Sequence, residues 1–78
     1  MNFTTDNVAE LDLLLLFDLT SNQEGLKIHK SAEPRVIDAA NRLFEKGFIT
    51  QVDGGYLTTL GSEAAEQAQS LFTMLNAD

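Results

Sequence analysis

The basic side chains of this sequence are confined to one short stretch. Its five Lys and Arg residues all lie between Lys27 and Lys46, whereas twelve carboxylates are spread along the chain, for a net charge of −7. Clustered ammonium and guanidinium groups can bind nucleic-acid phosphates, and Arg can also donate to a guanine edge. This stretch is therefore a candidate DNA-binding site. Lys27, Lys30 and Lys46 would meet phosphates, and Arg35 or Arg42 a phosphate or a base.

The same residues also fit a solvated helix face that binds no partner. Asp38 follows Arg35 by three residues and precedes Arg42 by four, so internal ion pairs could hold both guanidinium groups. Five cations limit direct phosphate contacts to five per subunit. Because the net negative charge also opposes binding, a monomer is expected to bind DNA weakly and to lose affinity with added salt. Only a dimer that presents two basic stretches is expected to reach useful specificity.

No residue pattern in the sequence predicts catalysis, a metal centre or a cofactor site. His29 is the only histidine and cysteine is absent, so a metal site would lack converging ligands. The carboxylate pairs Glu10/Asp12 and Glu63/Glu66 are interpreted as partners of helix dipoles. No nucleophile motif surrounds any serine. The sequence therefore predicts a protein that is not an enzyme.

Three helices are expected before residue 47. The first begins near Thr4–Asp6, where candidate N-cap residues precede an apolar pattern. A second, short helix is favoured from Ser21–Glu24, whose ends have capping-box spacing, although Leu26–His29 alternates as a strand would. The third helix covers Ser31–Lys46, with Ser31 as its N-cap.

A hairpin and a fourth helix are expected after residue 47. Phe48–Val52 and Tyr56–Leu60 have strand composition, and Asp53-Gly54-Gly55 between them predicts a tight turn. Gly61 is expected to end the second strand, and Ser62 to cap the last helix. The resulting order, α-α-α-β-β-α, describes an α+β, mainly helical fold with a two-stranded hairpin.

The chain is expected to form one domain over residues 1–78 and to associate as a homodimer. A domain this small has a thin core, which its long apolar runs are expected to overfill. The candidate interface side chains are all large and apolar: Leu13, Leu14, Leu16, Phe17, Leu71, Phe72 and Leu75. The absence of cysteine and of an apolar stretch of membrane-spanning length favours a soluble, cytoplasmic protein with no membrane partner.

The segment around the hairpin resembles the wing region of winged helix-turn-helix regulators. The matching stretches read LFEKGFIT and GYLTTLG. The resemblance implies that Ser31–Lys46 is a recognition helix and Phe48–Leu60 a wing, although Asp53 departs from the basic wing tips of many regulators. The DNA contacts that it implies are Arg35, Asn41, Arg42, Thr50 and Gln51.

The whole chain also resembles a small family of uncharacterised bacterial proteins, labelled as DNA-binding or as DNA-binding-protein-inhibitor-related. The segments that carry this resemblance are FTTDNVAELDLLLLFDL, GLKIH and KGFITQVDGGYLTTLGSEAAE. Two functions are therefore expected as alternatives. The first is a transcriptional regulator that binds double-stranded DNA through the helix Ser31–Lys46 and the hairpin Phe48–Leu60. The second is an acidic winged-helix module that binds a partner protein and no DNA.

Overall fold

The computed structural model describes residues 1–20 and 25–77, which form three helices and one antiparallel sheet. The elements in chain order are α1 (Thr5–Leu14), β1 (Leu26–Lys27), α2 (Pro34–Glu45), β2 (Ile49–Gln51), β3 (Gly54–Leu57) and α3 (Thr59–Leu75). The strand order β1-β3-β2 places β3 in the centre of the sheet. The α+β class is confirmed, but the sheet has three strands where two were predicted.

Helix α1 begins after Thr4, as predicted, and its start is a reciprocal capping box, which was not predicted. The Thr4 hydroxyl accepts a hydrogen bond from the Asn7 amide at 3.0 Å, and the Asn7 side chain accepts one from the Thr4 amide at 3.2 Å. Two backbone donors that the first turn leaves without helical partners are thereby satisfied. The helix ends at Leu14, so the apolar residues that follow lie in a turn.

Helix α2 begins later than predicted. Its N-cap residue is Glu33, whose side chain makes no capping hydrogen bond, so the assignment of this role to Ser31 is wrong. Pro34 occupies the first helical position, where its missing N–H costs nothing because that amide would have no helical acceptor. The predicted stop is confirmed, since Lys46 is the C-cap and Gly47 follows with φ +83°.

Strand β1 lies where a short helix was favoured. Leu26 pairs with Gly55 and Lys27 with Gly54. The pairing depends on glycine, because a Cβ on Gly54 would stand 2.2 Å from the Leu26 carbonyl oxygen. The alternating pattern of Leu26–His29 was therefore the better guide to this segment. The predicted start of the short helix, Ser21–Glu24, lies outside the described residues.

The hairpin is shorter than predicted because helix α3 begins before Gly61. Strand β3 ends at Leu57, and the Thr58 hydroxyl caps α3 by accepting a hydrogen bond from the Gly61 amide at 3.0 Å. The N-cap is therefore Thr58, and the predicted cap at Ser62 is wrong. Gly61 does not break a strand; it lies buried in the first turn of α3 against the Phe48 carbonyl.

The core is thin, as the length of the chain predicts, and alanines supply much of it. Ala39, Ala40 and Ala65 are at most 1% exposed, and among large side chains of the described residues only Leu43 is buried to that degree. Small side chains at these positions allow the three helices to approach closely. The other buried apolar side chains are Ala9, Leu13, Leu14, Phe17, Ile49 and Ala68.

Candidate charged interface between helices α1 and α2

The centre of the charged interface is the carboxylate of Glu10, which is only 7% exposed. Arg42 Nε donates to Glu10 Oε2 at 2.7 Å, and Lys46 Nζ donates to Glu10 Oε1. Glu10 projects from α1, and both cations project from the C-terminal half of α2. A buried carboxylate is costly unless it is paired and hydrogen-bonded. Here each of its oxygens has a charged donor.

The protonation of this cluster follows from its geometry. Burial by itself raises the pKa of Glu10, but hydrogen bonds from Lys46 and Arg42, together with their charges, outweigh it and leave the pKa below its ordinary value. Hydrogen bonding to Glu10 in turn raises the pKa of Arg42. Both shifts favour the charged forms of Glu10 and Arg42.

Two further carboxylates of α1 extend the interface along the helix. Arg42 Nη2 lies 3.8 Å from Asp6 Oδ1 and 3.4 Å from the Asp6 carbonyl oxygen, and Arg35 Nη2 lies 3.5 Å from Asp12 Oδ2. The internal pairs predicted with Asp38 do not form, since no Lys or Arg nitrogen of the described residues lies within 4.0 Å of that carboxylate. Both arginines of α2 thus pair with the neighbouring helix.

The remaining ion pair ties β1 to the hairpin turn. Lys27 Nζ donates to Asp53 Oδ2 at 2.8 Å. This hydrogen bond lowers the pKa of Asp53, although both side chains are well exposed. The acidic tip of the hairpin is therefore neutralised by a lysine of the adjacent strand. Within residues 1–20 and 25–77, four of the five cations pair with carboxylates.

The other predicted DNA contacts lie apart from the charged interface. Lys30 has no carboxylate within 4.0 Å among residues 1–20 and 25–77, and with Asn41 it lines an open cavity of about 240 Å³. The Thr50 hydroxyl already accepts a hydrogen bond from the Tyr56 amide at 2.9 Å, within the hairpin. Gln51 is exposed on β2. Lys30 and Asn41 share their cavity with Asp53, the partner of Lys27, whereas Arg35, Arg42 and Lys46 face the carboxylates of α1.

Of the predicted dimer contacts, Leu13, Leu14 and Phe17 are buried in the core of the chain itself. These three side chains are not available to a second subunit, and their burial accounts for part of the apolar run. The other predicted contacts are exposed to different degrees: Leu16, Leu71, Phe72 and Leu75. The homodimer itself stays a prediction.

Helices α1 and α3 leave an apolar groove between them, which we call the α1–α3 groove. It encloses about 220 Å³. Its lining includes Phe3, Val8, Leu11, Leu71, Phe72 and Leu75, with Asp12 as the one charged residue. Phe72 is 51% exposed and Leu75 74% exposed, so large apolar side chains stand open to solvent along the end of α3. Such a cluster on a small domain is a candidate interaction surface.

Two contacts of this structure were missed by sequence reasoning. Glu10 was interpreted as a dipole partner, yet it lies beyond the first turn of α1. A signal was present: Asp6 and Glu10 are spaced by four residues, as are Arg42 and Lys46, so two helices carry matching charges. The second contact is made by Gln69, whose amide donates to the Leu14 and Phe17 carbonyls at 3.3 and 2.8 Å. No local pattern indicates that contact.

Neither a metal centre nor a membrane span is found in the part of the chain that the structure describes. Within residues 1–20 and 25–77, no three His, Asp or Glu side chains converge as metal ligands would. No helix in those ranges combines the length and the apolar character needed to cross a bilayer.

Fold and site together define a small α+β domain in which buried and peripheral ion pairs join the first two helices. The chain belongs to a family of unknown function, DUF5669, whose model matches residues 1–76. No curated protein and no solved structure matches the chain. Because the function of this family is unknown, the family assigns no activity to the chain. The charged interface and the α1–α3 groove are the features from which a function can be inferred.

Proposed function

We propose that this protein is an acidic protein–protein interaction module that does not bind DNA. The observation that carries the proposal is the convergence of Arg42 and Lys46 on the buried carboxylate of Glu10. The basic residues of α2 stabilise the packing of α1, and this role accounts for their presence without a nucleic-acid partner.

The pairing of the basic side chains and the net charge of the chain both support this proposal. A DNA phosphate that recruited Arg42 or Lys46 would have to compete with Glu10, and it would leave a buried carboxylate without one of its donors. Lys30 is the only cation without a carboxylate partner among the described residues. The net charge of −7 repels the polyanion in addition. Because affinity for DNA grows with the number of phosphates neutralised, a single lysine that no described carboxylate holds supports little binding.

A DNA-binding regulator is the second candidate, and one observation favours it. Helix α2 is followed directly by the β2–β3 hairpin, as a recognition helix is followed by a wing in winged-helix proteins. The fold alone is a weak argument, because one fold serves many functions. The pairing of Arg42 and Lys46 with Glu10 weighs against this second candidate and supports the first proposal.

The proposal is tested by releasing the two cations from their partners. The double variant Asp6→Asn with Glu10→Gln keeps Arg42 and Lys46 but removes the carboxylates that neutralise them. Anisotropy of a labelled DNA duplex at about 50 mM salt, where phosphate contacts are strong, measures the result. We expect no saturable binding by the natural protein and measurable binding by the double variant.

A matched control separates this effect from a change in net charge. The variant Glu63→Gln with Glu66→Gln removes two carboxylates as well, but from α3, away from the charged interface. We expect it to behave as the natural protein does. The proposal is overturned if the natural protein binds the duplex saturably and Arg42→Ala abolishes that binding.

A further inference from the structure

We infer that the cavity between helix α2 and the hairpin turn, which we call the α2–hairpin cavity, binds a small monocarboxylate with an apolar body. This inference goes beyond the proposed function and does not depend on it. The cavity shares no lining residue with the α1–α3 groove, and it contains none of the carboxylates of the charged interface.

The walls of the α2–hairpin cavity are held by contacts within the fold. The Ile28 amide donates to the Asp53 carbonyl at 2.8 Å, and Lys27 Nζ donates to the Asp53 carboxylate at the same distance. These two hydrogen bonds tie the segment after β1 to the hairpin turn. The wall formed by α2 includes Ala40, which is 1% exposed. Because the walls are already fixed, a ligand would not have to order them on binding.

The size and the apolar part of the lining suit one small ring. Four of the lining residues are apolar: Ile28, Ile37, Ala40 and Val52. The cavity encloses about 240 Å³. A cavity of roughly 150 Å³ can hold a benzene ring, so this one has room for a ring and a short chain. Val52 is 52% exposed, and a ligand that covered it would bury apolar surface.

The charges of the lining favour an anion. Lys30 lines the cavity, and no carboxylate of residues 1–20 and 25–77 lies within 4.0 Å of its ammonium group. Asp53 is the one acidic residue of the lining, and Lys27 already neutralises it. The ammonium of Lys30 stands on a flexible stem and can therefore turn towards a carboxylate in the cavity.

Two further donors line the same cavity. Asn41 is half-buried on α2, and its side-chain amide has no hydrogen-bond partner among the described residues. The imidazole of His29 carries an N–H in either protonation state. A carboxylate has lone pairs for several donors, and bonds to an ionised acceptor are stronger than neutral ones. Ammonium, amide and imidazole together therefore suit a carboxylate.

One lysine is enough for such a ligand although it supports little DNA binding. DNA affinity depends on the neutralisation of many phosphates at once, whereas a monocarboxylate brings a single charge. The net charge of −7 opposes a polyanion far more than a monoanion. The apolar contacts of the ring supply the rest of the binding free energy.

Three ligands that share one ring and one chain test the inference on the full chain. Phenylpropionate carries a carboxylate, phenylpropionamide is uncharged and phenylpropylamine is a cation. Each is titrated into the ¹⁵N-labelled protein. Phenylpropionate should shift the amide resonances of Ile28, Lys30, Asn41 and Val52 saturably, with a dissociation constant on the order of 1 mM. The amide and the amine should bind more weakly.

Variants of two cations separate a local contact from a change in net charge. Lys30→Gln should weaken binding of phenylpropionate by about threefold to tenfold. Arg35→Gln makes the same charge change at an exposed side chain of α2 that does not line the cavity, and it should leave the affinity unchanged. Lys30→Glu should reverse the preference, so that phenylpropylamine binds more tightly than phenylpropionate.

Three outcomes would overturn the inference. Equal affinities for phenylpropionate and phenylpropionamide would show that the cavity does not select a carboxylate. Equal losses in Lys30→Gln and Arg35→Gln would remove the role of Lys30. Saturable shifts confined to residues outside the cavity, or no saturable shifts at all, would show that this is not the binding site. None of these results depends on whether the protein binds DNA, so failure here is distinguishable from failure of the proposed function.

Discussion

Arg42 Nε lies 2.7 Å from Glu10 Oε2 and thereby joins helix α2 to helix α1. The sequence assigns Arg42 to a DNA contact, but the structure gives it a partner within the same chain. Glu10 is nearly buried and also accepts a hydrogen bond from Lys46. A basic residue on a presumed recognition helix can therefore serve the packing of the domain instead of a ligand.

Replacement of Glu10 by glutamine should lower the free energy of unfolding by about 1–2 kcal/mol. The amide keeps the shape of the side chain but loses two charge-assisted hydrogen bonds, each stronger than a neutral one. The loss stays below that of a fully buried pair because Arg42 and Lys46 remain partly exposed. Urea unfolding measures the change. Glu63→Gln, on the exposed surface of α3, should change stability by less than about 0.5 kcal/mol.

Acidification should destabilise the protein in a way that depends on Glu10. Because the pKa of Glu10 is lowered in the folded chain, its contribution to stability is complete above the unfolded value of roughly 4.3 and is lost as the pH falls through the folded value. Urea unfolding between neutral pH and pH about 3 should show a smaller decline for Glu10→Gln than for the natural protein. Part of the decline should remain, since hydrogen bonds from Thr20 and Lys27 also lower the pKa of Asp18 and Asp53. An identical decline in both proteins would count against the role given to Glu10.

A negative charge at position 69 should destabilise the end of α1. The Gln69 amide donates to the Leu14 and Phe17 carbonyls, and glutamate would replace that donor with an anion facing two acceptors. We expect Gln69→Glu to cost about 1–3 kcal/mol at neutral pH. Gln67→Glu makes the same charge change at an exposed position of α3 and should be nearly neutral. Thermal unfolding compares the two, and similar melting temperatures would show that the Gln69 contact contributes little.

Gly61 should be the less replaceable of two glycines near the hairpin. A Cβ at this position would stand 1.8 Å from the Phe48 carbonyl oxygen, which is fixed by a hydrogen bond from the Thr58 amide. Gly61→Ala should therefore destabilise by about 2–3 kcal/mol despite the better helix propensity of alanine. Gly47→Ala is the comparison. A Cβ at Gly47 would have no atom within 4 Å, so the only cost is the backbone strain of an alanine at φ +83°. Its cost should be about 1 kcal/mol, and the reverse order of the two costs would refute this account.

Local sequence signals predict much of the fold. The helix start near Thr4, the stop at Lys46–Gly47 and the hairpin after it are confirmed, because each depends on neighbouring residues. Within the hairpin, Gly54 and Gly55 were predicted as turn residues but begin strand β3. The predicted caps at Ser31 and Ser62 are wrong for different reasons. Helix α2 has Pro34 at its first position, so Glu33 is its N-cap. Near the start of α3, Thr58 and Thr59 are alternatives to Ser62, and Thr58 is the N-cap. With Thr58 as the N-cap, Gly61 lies against the Phe48 carbonyl.

The site was harder to predict than the fold because it depends on contacts between distant residues. Charge clustering located the five cations, but the partners of Arg35, Arg42 and Lys46 lie on α1, more than twenty residues earlier in the chain. The partner of Lys27 is Asp53, in the hairpin turn. Composition cannot show which carboxylates face them. The burial of the apolar residues 13–17 was hard to predict for the same reason. Leu14 and Phe17 are buried within the chain, whereas Leu16 is exposed.

The most direct test of the central claim is a titration of the natural protein, labelled with ¹⁵N, with duplex DNA at about 50 mM salt. The account predicts that the amide resonances of α2 and of the β2–β3 hairpin stay in place, because Glu10 already holds Arg42 and Lys46. Saturable shifts that are concentrated on α2 and the hairpin would contradict it.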